Sequence, residues 1–120
     1  MKAFDLTGRK ALVTGAARGI GAAIAQALAA AGASVVIADV MEDNGRETAQ
    51  ALSATGAKAD FVRLDVTDEA RWVTAVEATV KSLGGFDLLV NNAGVEITAL
   101  VADIEAADLR RMLDVNVVGT

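Results

Sequence analysis

The sequence predicts an α/β fold in which a doubly wound parallel sheet carries helices on both faces. Short apolar runs of strand length alternate with longer helical patterns along the 120 residues. A glycine-rich turn follows the first run, and an acidic residue ends the second. Strands separated by helices of this length pair in parallel through right-handed crossovers. We therefore expect one domain over residues 1–120, with the strand order 3-2-1-4.

The predicted elements alternate strictly. Strands are expected at about residues 10–13, 34–39, 60–64 and 87–90, where apolar side chains cluster. Helices are expected at about residues 20–31, 44–54, 68–83 and 104–118. Glycine commonly follows a helix end, so the first three helices are expected to end at Gly32, Gly56 and Gly84. Thr67 is expected to cap the third helix.

Apolar periodicity predicts the faces of the last two helices. The third helix carries an apolar stripe formed by Val73, Val76, Val80 and Leu83. The fourth helix has an apolar side formed by Leu109, Met112, Leu113 and Val117. Trp72 is expected to pack on a helix surface, and Arg110 and Arg111 are expected to be solvated charges.

The most informative segment is the turn after the first strand, which reads Val-Thr-Gly-Ala-Ala-Arg-Gly-Ile-Gly over residues 13–21. Gly15, Gly19 and Gly21 lack a Cβ, so the backbone here can adopt positive φ and approach a ligand closely. The following helix begins with unpaired N–H groups and a partial positive charge, which suit a pyrophosphate. Glycines also serve ordinary tight turns, so this turn alone is weak evidence.

An acidic residue strengthens the interpretation of this turn as a nucleotide site. The second strand ends at Asp39, 18 residues after Gly21. An acidic residue at about that distance accepts hydrogen bonds from the ribose hydroxyls of NAD. The order of these features, a strand, a turn, a helix, a second strand and an acidic residue, is that of a dinucleotide site. We therefore favour a dinucleotide-binding role for this turn over a purely structural one.

Composition argues against several other classes of protein. The net charge of −5 offers no basic stripe for nucleic acid. The sequence has no cysteine and no histidine, so we expect no metal site and a cytoplasmic protein. The longest uncharged stretch, residues 19–38, is mostly alanine and is not a convincing membrane span, so no membrane partner is expected. Residues 1–10 lack the apolar core of a secretory signal.

Four motifs together resemble the short-chain dehydrogenase/reductase family. They are Thr-Gly-Ala-Ala-Arg-Gly-Ile-Gly at 14–21, Asp-Val at 65–66, Asn-Asn-Ala-Gly at 91–94, and Asn116 within Leu-Asp-Val-Asn-Val-Val-Gly at 113–119. The glycine spacing is similar to the family's Thr-Gly-x-x-x-Gly-x-Gly and differs from the commoner Gly-x-Gly-x-x-Gly. The likeness extends from about Leu6 to the last residue. It implies a Rossmann-type fold that binds a nicotinamide dinucleotide.

The resemblance implies a role for each matched residue. The adenosine ribose and pyrophosphate would be bound at the glycine-rich turn by Gly15, Ala16, Ala17, Arg18, Gly19, Ile20 and Gly21. Asp39 would hold the adenosine ribose, and Asp65 and Val66 would meet the adenine edge. The cofactor cleft beyond the fourth strand would be lined by Asn92, Ala93 and Gly94. Asn116 matches the family's catalytic asparagine, which helps position a water in a proton relay with the active-site lysine.

Structural roles compete with some of these assignments. Asp65 could simply cap the turn before Thr67. Asn91 and Asn92 could be turn formers, because asparagine tolerates the left-handed region and bonds its own backbone. Asn116 on an apolar helix face could be a structural polar residue.

The family's remaining chemical groups are missing from this sequence. The resemblance implies a catalytic tyrosine, a lysine four residues later and a serine that orients the carbonyl. The 120 residues contain no tyrosine, and all three serines precede the fourth strand. We expect an incomplete domain, the N-terminal, cofactor-binding half of an oxidoreductase acting on a small-molecule alcohol or carbonyl. The alternative is a stand-alone, non-catalytic binding or self-associating module. A downstream Tyr-x-x-x-Lys would decide for the enzyme.

We expect NAD to be preferred over NADP as the cofactor. The carboxylate of Asp39 would accept hydrogen bonds from the ribose diol and would repel the 2′-phosphate of NADP. Arg18 acts in the opposite direction, since a basic residue there can pair with that phosphate. Val40, which follows Asp39, offers no positive charge.

The predicted sheet has an exposed edge. Strand four, residues 87–91, would lack an outer neighbour, and its unpaired N–H and C=O groups would be a template for another chain. Residues 95–101 or the last helix could instead cover this edge. We expect further polypeptide to pair with it, and we expect a homo-oligomer.

Overall fold

A four-stranded parallel sheet with the order β3-β2-β1-β4 forms the centre of the molecule. This computed structural model describes residues 4–120. The strands are β1 (Lys10–Thr14), β2 (Ser34–Asp39), β3 (Ala59–Arg63) and β4 (Leu88–Val90). All three pairings are parallel. The predicted doubly wound sheet and its strand order are confirmed.

Four α-helices connect or follow the strands. They are α1 (Gly19–Ala30), α2 (Glu42–Ala54), α3 (Glu69–Leu83) and α4 (Ala106–Leu113). The predicted fourth α-helix over 104–118 is wrong at both ends. It begins at Ala106, and its last part is a π-helical turn, Asp114–Val118. There the N–H of Gly119 donates to the carbonyl of Asp114 at 2.7 Å, five residues back.

The central strands are buried on both faces, as expected for a parallel sheet between two helical layers. On one face, Leu12 and Val36 belong to a cluster with Ala75 and Leu83 of α3. On the other face, the cluster combines the strand residues Val13, Val35 and Ile37 with Ala25 of α1 and with Ala49 and Leu52 of α2. Because successive side chains point to opposite faces, one strand supplies both layers.

The buried face of α3 differs from the predicted stripe. Val73 and Val80 are exposed, and the buried residues are Ala75, Thr79 and Leu83. Small side chains let this face approach the sheet, and the hydroxyl of Thr79 is satisfied by the carbonyl of Ala75 at 2.8 Å.

The predicted cap of α3 is also wrong by one residue. Asp68 is the N-cap, and its carboxylate accepts from the N–H of Arg71 at 3.2 Å. The hydroxyl of Thr67 instead donates to the carboxylate of Asp65 at 2.6 Å, before the helix begins. The acidic side chain is the one positioned to satisfy the helix N-terminus.

Apolar side chains remain exposed at the end of the chain described here. Leu109, Leu113 and Val117 of the predicted apolar side are exposed, whereas Val115 is buried. Within residues 4–120, β4 pairs with β1 alone, and Leu89 is 45% exposed. The outer edge of the sheet is therefore open in this part of the chain.

None of the helices formed by residues 4–120 has both the length and the apolar character required to cross a membrane.

Close packing between α2 and β3 gives a stability prediction. A Cβ added to Gly45 would overlap the ring of Phe61. Gly45→Ala should therefore lower the free energy of unfolding by about 1–3 kcal/mol, the usual cost of overpacking. This loss should exceed the gain of roughly 1 kcal/mol in helix propensity.

Urea denaturation measures this effect, with Asn44→Ala as the matched control. Asn44 is the preceding, exposed residue of the same helix, so its substitution tests helix propensity without the overlap. A Gly45→Ala protein as stable as the Asn44→Ala protein would contradict the packing account.

Candidate functional site

A cleft of about 410 Å³ opens at the carboxyl ends of the strands, where β1 separates β2 from β4. Ligands of open α/β sheets bind at this kind of crevice. Nine of the residues selected from the sequence line the cleft: Gly15, Arg18, Gly19, Asp39, Asp65, Val66, Asn92, Ala93 and Gly94. The structure thus brings residues from four separate motif regions to one place.

Five other selected residues do not line the cleft. Ala16 and Ala17 are buried residues of the glycine-rich turn, and Gly21 is buried in the first turn of α1. Ile20 is 75% exposed. Asn116 lies in the π-helical turn and contacts Val95, which does line the cleft.

The hydroxyl of Thr14 joins the ends of β1 and β4. It accepts from the backbone N–H groups of Asn92 and Ala93, both at 3.0 Å, and donates to the carbonyl of Val90 at 3.4 Å. The side-chain amide of Asn92 donates to the carbonyl of Gly15 at 3.1 Å. These bonds fix the segment after β4 against the start of the glycine-rich turn.

Two glycines permit this close approach. Gly15 has φ of +63°, and a Cβ there would lie 2.8 Å from the Cα of Ala93. A Cβ on Gly21 would overlap the carbonyl oxygen of Gly15. Because both neighbours are backbone atoms, a larger residue at either position would have to displace the turn itself.

Asp39 holds the glycine-rich turn from the end of β2. Its Oδ2 accepts from the N–H of Ala17 at 3.1 Å, and its Oδ1 accepts from the N–H of Met41 at 3.0 Å. Each carboxylate oxygen has two acceptor positions. The carboxylate can therefore hold the turn and still accept from a ligand hydroxyl in the cleft.

The N-terminus of α1 differs from that of α3. No side chain caps it, and no acidic residue lies in its first turn. Gly19, its first residue, has φ of +62° and lines the cleft. The positive end of this helix therefore meets the cleft with no capping side chain and no acidic residue in its first turn, which suits a phosphate group.

Asp65 caps the turn before α3. This is the structural role that the sequence offered as the alternative to adenine binding. Its Oδ1 accepts from the Thr67 hydroxyl at 2.6 Å and from the Thr67 N–H at 3.0 Å. These hydrogen bonds lower the pKa of Asp65. Burial acts in the opposite direction, and the charges of Arg63 and Arg111 add to the lowering. Asp65 also lines the cleft, so the two roles are compatible.

The side chain of Asn116 is paired with the backbone of one residue. Its Oδ1 accepts from the N–H of Val95 at 2.8 Å, and its Nδ2 donates to the carbonyl of Val95 at 2.9 Å. This double contact ties the last helical segment to the cleft wall that follows Gly94.

Comparison with known proteins agrees with this geometry. A family model described as short chain dehydrogenase matches residues 9–120. The chain belongs to the short-chain dehydrogenase family. It is 48% identical over 115 residues to a trans-4-hydroxycyclohexanecarboxylate dehydrogenase of Sinomonas cyclohexanicum, a match that covers 91% of this chain and 44% of that enzyme.

Solved structures of short-chain dehydrogenases share the fold. A short-chain type dehydrogenase/reductase from Mycobacterium marinum superposes with a TM-score of 0.92 at 37% identity, covering 97% of this chain and 47% of that one. A short chain dehydrogenase from Burkholderia cenocepacia, solved in complex with NADP, has a TM-score of 0.87 at 38% identity, over 95% and 47% of the two chains. The 120 residues span about half the length of these relatives.

Some residues that line the cleft or contact its wall were missed from the sequence. Arg111 and Val115 line the cleft, although Arg111 was expected to be an ordinary solvated charge. Trp72 was expected on a helix surface, but it is half-buried and its Nε1 donates to the carbonyl of Val66 at 2.9 Å. No local motif indicates that contact.

The Asp65 turn gives a pH prediction. Thr67→Val removes the hydroxyl donor, so the pKa of Asp65 should rise, whereas Thr67→Ser should keep it low. A carboxylate with a lowered folded-state pKa stabilises the fold above the ordinary aspartate pKa. That stabilisation is lost as the pH falls through the folded-state pKa.

The NMR chemical shift of the Asp65 carboxyl carbon, followed through an acid titration, measures this pKa directly. With valine at position 67, the titration should move to higher pH. The stabilisation from the Asp65 carboxylate should be smaller, and its loss should be complete at a higher pH than in the wild type. Titration curves that coincide for the wild type, valine and serine proteins would show that the hydroxyl has no such effect.

Proposed function

We propose that these 120 residues are the nucleotide-binding portion of an NAD(P)-dependent oxidoreductase that interconverts an alcohol and a carbonyl by hydride transfer. The observation that carries the proposal is the convergence at one cleft of the glycine-rich turn, the uncapped N-terminus of α1, Asp39 and the Asp65–Val66 turn. The positive end of the helix suits the pyrophosphate of a dinucleotide, the carboxylates suit its ribose hydroxyls, and the apolar walls suit its adenine ring.

Each part of the cleft suits one part of the cofactor. The pyrophosphate would lie at Gly19, beside the guanidinium of Arg18. The ribose diol would donate to Asp39. The adenine ring would lie against Val66 and Val115, apolar residues that line the cleft on the Asp65 side.

The rest of the cleft would receive the nicotinamide end. The segment Asn92–Val95 lines the cleft beyond β4. When bound, the nicotinamide ring supplies hydride acceptor or donor chemistry. The residues of this chain bind and orient it: Thr14 holds the start of the segment and Asn116 holds its end. We retain Asn116 as the family's catalytic asparagine, acting in the proton relay of the complete protein.

We favour NAD as the cofactor and a small-molecule alcohol or carbonyl as the substrate. Asp39 lines the cleft with the uncharged Val40 and Met41, and the first turn of α2 then adds Glu42 and Asp43. These carboxylates would repel a 2′-phosphate. Arg18 would attract the 2′-phosphate, and the Burkholderia cenocepacia relative was solved with NADP. The preference between NAD and NADP therefore depends on the balance between the negative carboxylates and the positive charge of Arg18.

We also propose a cytoplasmic, homo-oligomeric protein. The absence of cysteine fits a reducing compartment. The exposed apolar residues Leu109, Leu113 and Val117 and the open edge of β4 are surfaces that a second copy or further polypeptide would cover.

Cofactor titration of the complete natural protein tests the preference. NAD should bind about ten-fold or more tightly than NADP, on the scale of hydrogen bonds to a charged group. Asp39→Asn should reduce this ratio. Glu47→Gln, which removes an exposed charge of α2 outside the cleft, should leave the ratio unchanged. Equal or tighter NADP binding by the wild type would overturn the NAD assignment.

The isolated 120-residue chain should show no turnover with any alcohol or carbonyl. It has no tyrosine to exchange a proton with the substrate oxygen. The check is a spectrophotometric assay of the mass-verified chain that follows NADH formation with alcohols and NADH consumption with carbonyls, with a heat-treated sample as control. Turnover above that control would show that the reactive groups do not lie outside these residues.

A further inference from the structure

One residue of the glycine-rich turn, Ala17, is held at both its backbone N–H and its backbone carbonyl. The N–H of Ala17 donates to Asp39 from β2, as described above. The carbonyl of Ala17 accepts from the hydroxyl of Thr48 at 2.6 Å. Thr48 lies in α2, 31 residues further along the chain. Two different elements therefore hold the residue that precedes Arg18.

Thr48 lies on the side of α2 that packs against the rest of the molecule. Thr48 is half-buried in the interior of the helix, and its neighbours Gly45 and Ala49 are buried. A threonine hydroxyl inside a helix commonly bonds its own helix carbonyl, as Thr74 does with Ala70 in α3. Thr48 instead donates across to the turn.

The backbone after Ala17 shows what this contact controls. Ala17 is 4% exposed and does not line the cleft. Arg18 follows with φ of −155° and ψ of 176°, an extended conformation that begins the approach to α1. Arg18 and Gly19 line the cleft. The direction of the Ala17 carbonyl therefore determines where both of these residues lie.

We propose that Thr48 is a positioning residue for the dinucleotide site, acting through the carbonyl of Ala17. This inference rests on the proposed function, which assigns the cleft to a dinucleotide. Thr48 touches neither the cleft nor the reacting atoms, since it is absent from the cleft lining. It holds the glycine-rich turn in the bound shape before the cofactor arrives, which lowers the ordering cost of binding.

Thr48 also complements Asp39. The carboxylate of Asp39 bonds Ala17 and is assigned to the ribose diol, so ligand binding places further demands on the same oxygens. The contact from Thr48 keeps Ala17 in place independently of that carboxylate. A site with only one of these contacts would hold the turn less firmly.

The test compares three variants of the complete natural protein: Thr48→Val, Thr48→Ser and Thr74→Val. Valine preserves the shape of threonine but removes the hydroxyl, and serine restores the hydroxyl. Thr74→Val is the matched control, because Thr74 is an exposed helical threonine whose hydroxyl bonds only its own helix among the described residues. The measurements are NADH affinity by fluorescence titration and amide hydrogen exchange of residues 15–20 without cofactor.

Thr48→Val should weaken NADH binding roughly three- to ten-fold, on the scale of one net hydrogen bond. It should also accelerate exchange in residues 15–20. Thr48→Ser should remain within about two-fold of the wild type on that same scale, and Thr74→Val should change neither measurement. Unchanged exchange in the Thr48→Val protein, failure of serine to rescue, or an equal effect of Thr74→Val would overturn the proposal.

The two proposals fail in different ways. If the wild type does not bind NADH or NADPH, the dinucleotide function is wrong. The exchange measurement then still decides whether Thr48 positions the turn. If the wild type binds and Thr48→Val binds equally well, the role of Thr48 is wrong and the dinucleotide function stands.

Discussion

The close approach of the carboxyl ends of β1 and β4 is the constraint on which the site depends. The hydroxyl of Thr14 makes three hydrogen bonds to the segment around β4. The backbone of Ala93 lies so close to Gly15 that no Cβ would fit at position 15. Without this contact the glycine-rich turn and the segment Asn92–Val95 would separate, and the cleft would lose two of its walls. The parallel pairing of the strands brings the two ends together, and the hydroxyl fixes their distance.

Hydrogen bonds between residues that are not adjacent in the sequence position the remaining walls of the cleft. Asp39 and Thr48 hold Ala17, Trp72 holds the carbonyl of Val66, and Asn116 holds Val95. Each such hydrogen bond contributes only about 1 kcal/mol net to stability. Their effect on the site is larger than this figure suggests, because each fixes the backbone of a residue that lines the cleft or directly precedes one.

Much of this architecture could be predicted from the sequence because it depends on local patterns. Strand positions follow from short apolar runs, and the strand order follows from the alternation of strands and helices. The cleft residues Gly15, Asp39, Asp65 and Asn92 were identifiable because turn glycines and polar residues at strand ends have recognisable spacing. Predicted helix faces were less accurate. The apolar periodicity of α3 predicted that its valines face the sheet, whereas the smaller Ala75 and Thr79 are the residues buried there.

The other missed features depend on contacts between distant residues. Thr48 and Ala17 are 31 positions apart, and neither the threonine nor its position in α2 indicates a partner. Arg111 was indistinguishable from other helix charges until the approach of α4 to the cleft was known. In the sequence, Leu109, Leu113 and Val117 have the four-residue spacing of an α-helix that continues into the π-helical turn at Asp114–Val118, so periodicity could not reveal that turn.

A crystal structure of the complete natural protein with NAD tests the central claim most directly. The account predicts electron density for the pyrophosphate at the N-terminus of α1, the ribose hydroxyls within hydrogen-bond distance of Asp39, and the adenine ring against Val66. The contacts from Thr14 to Asn92 and Ala93 should be unchanged. Cofactor density at another surface, or a complex in which Asp39 faces away from the ribose, would contradict the account.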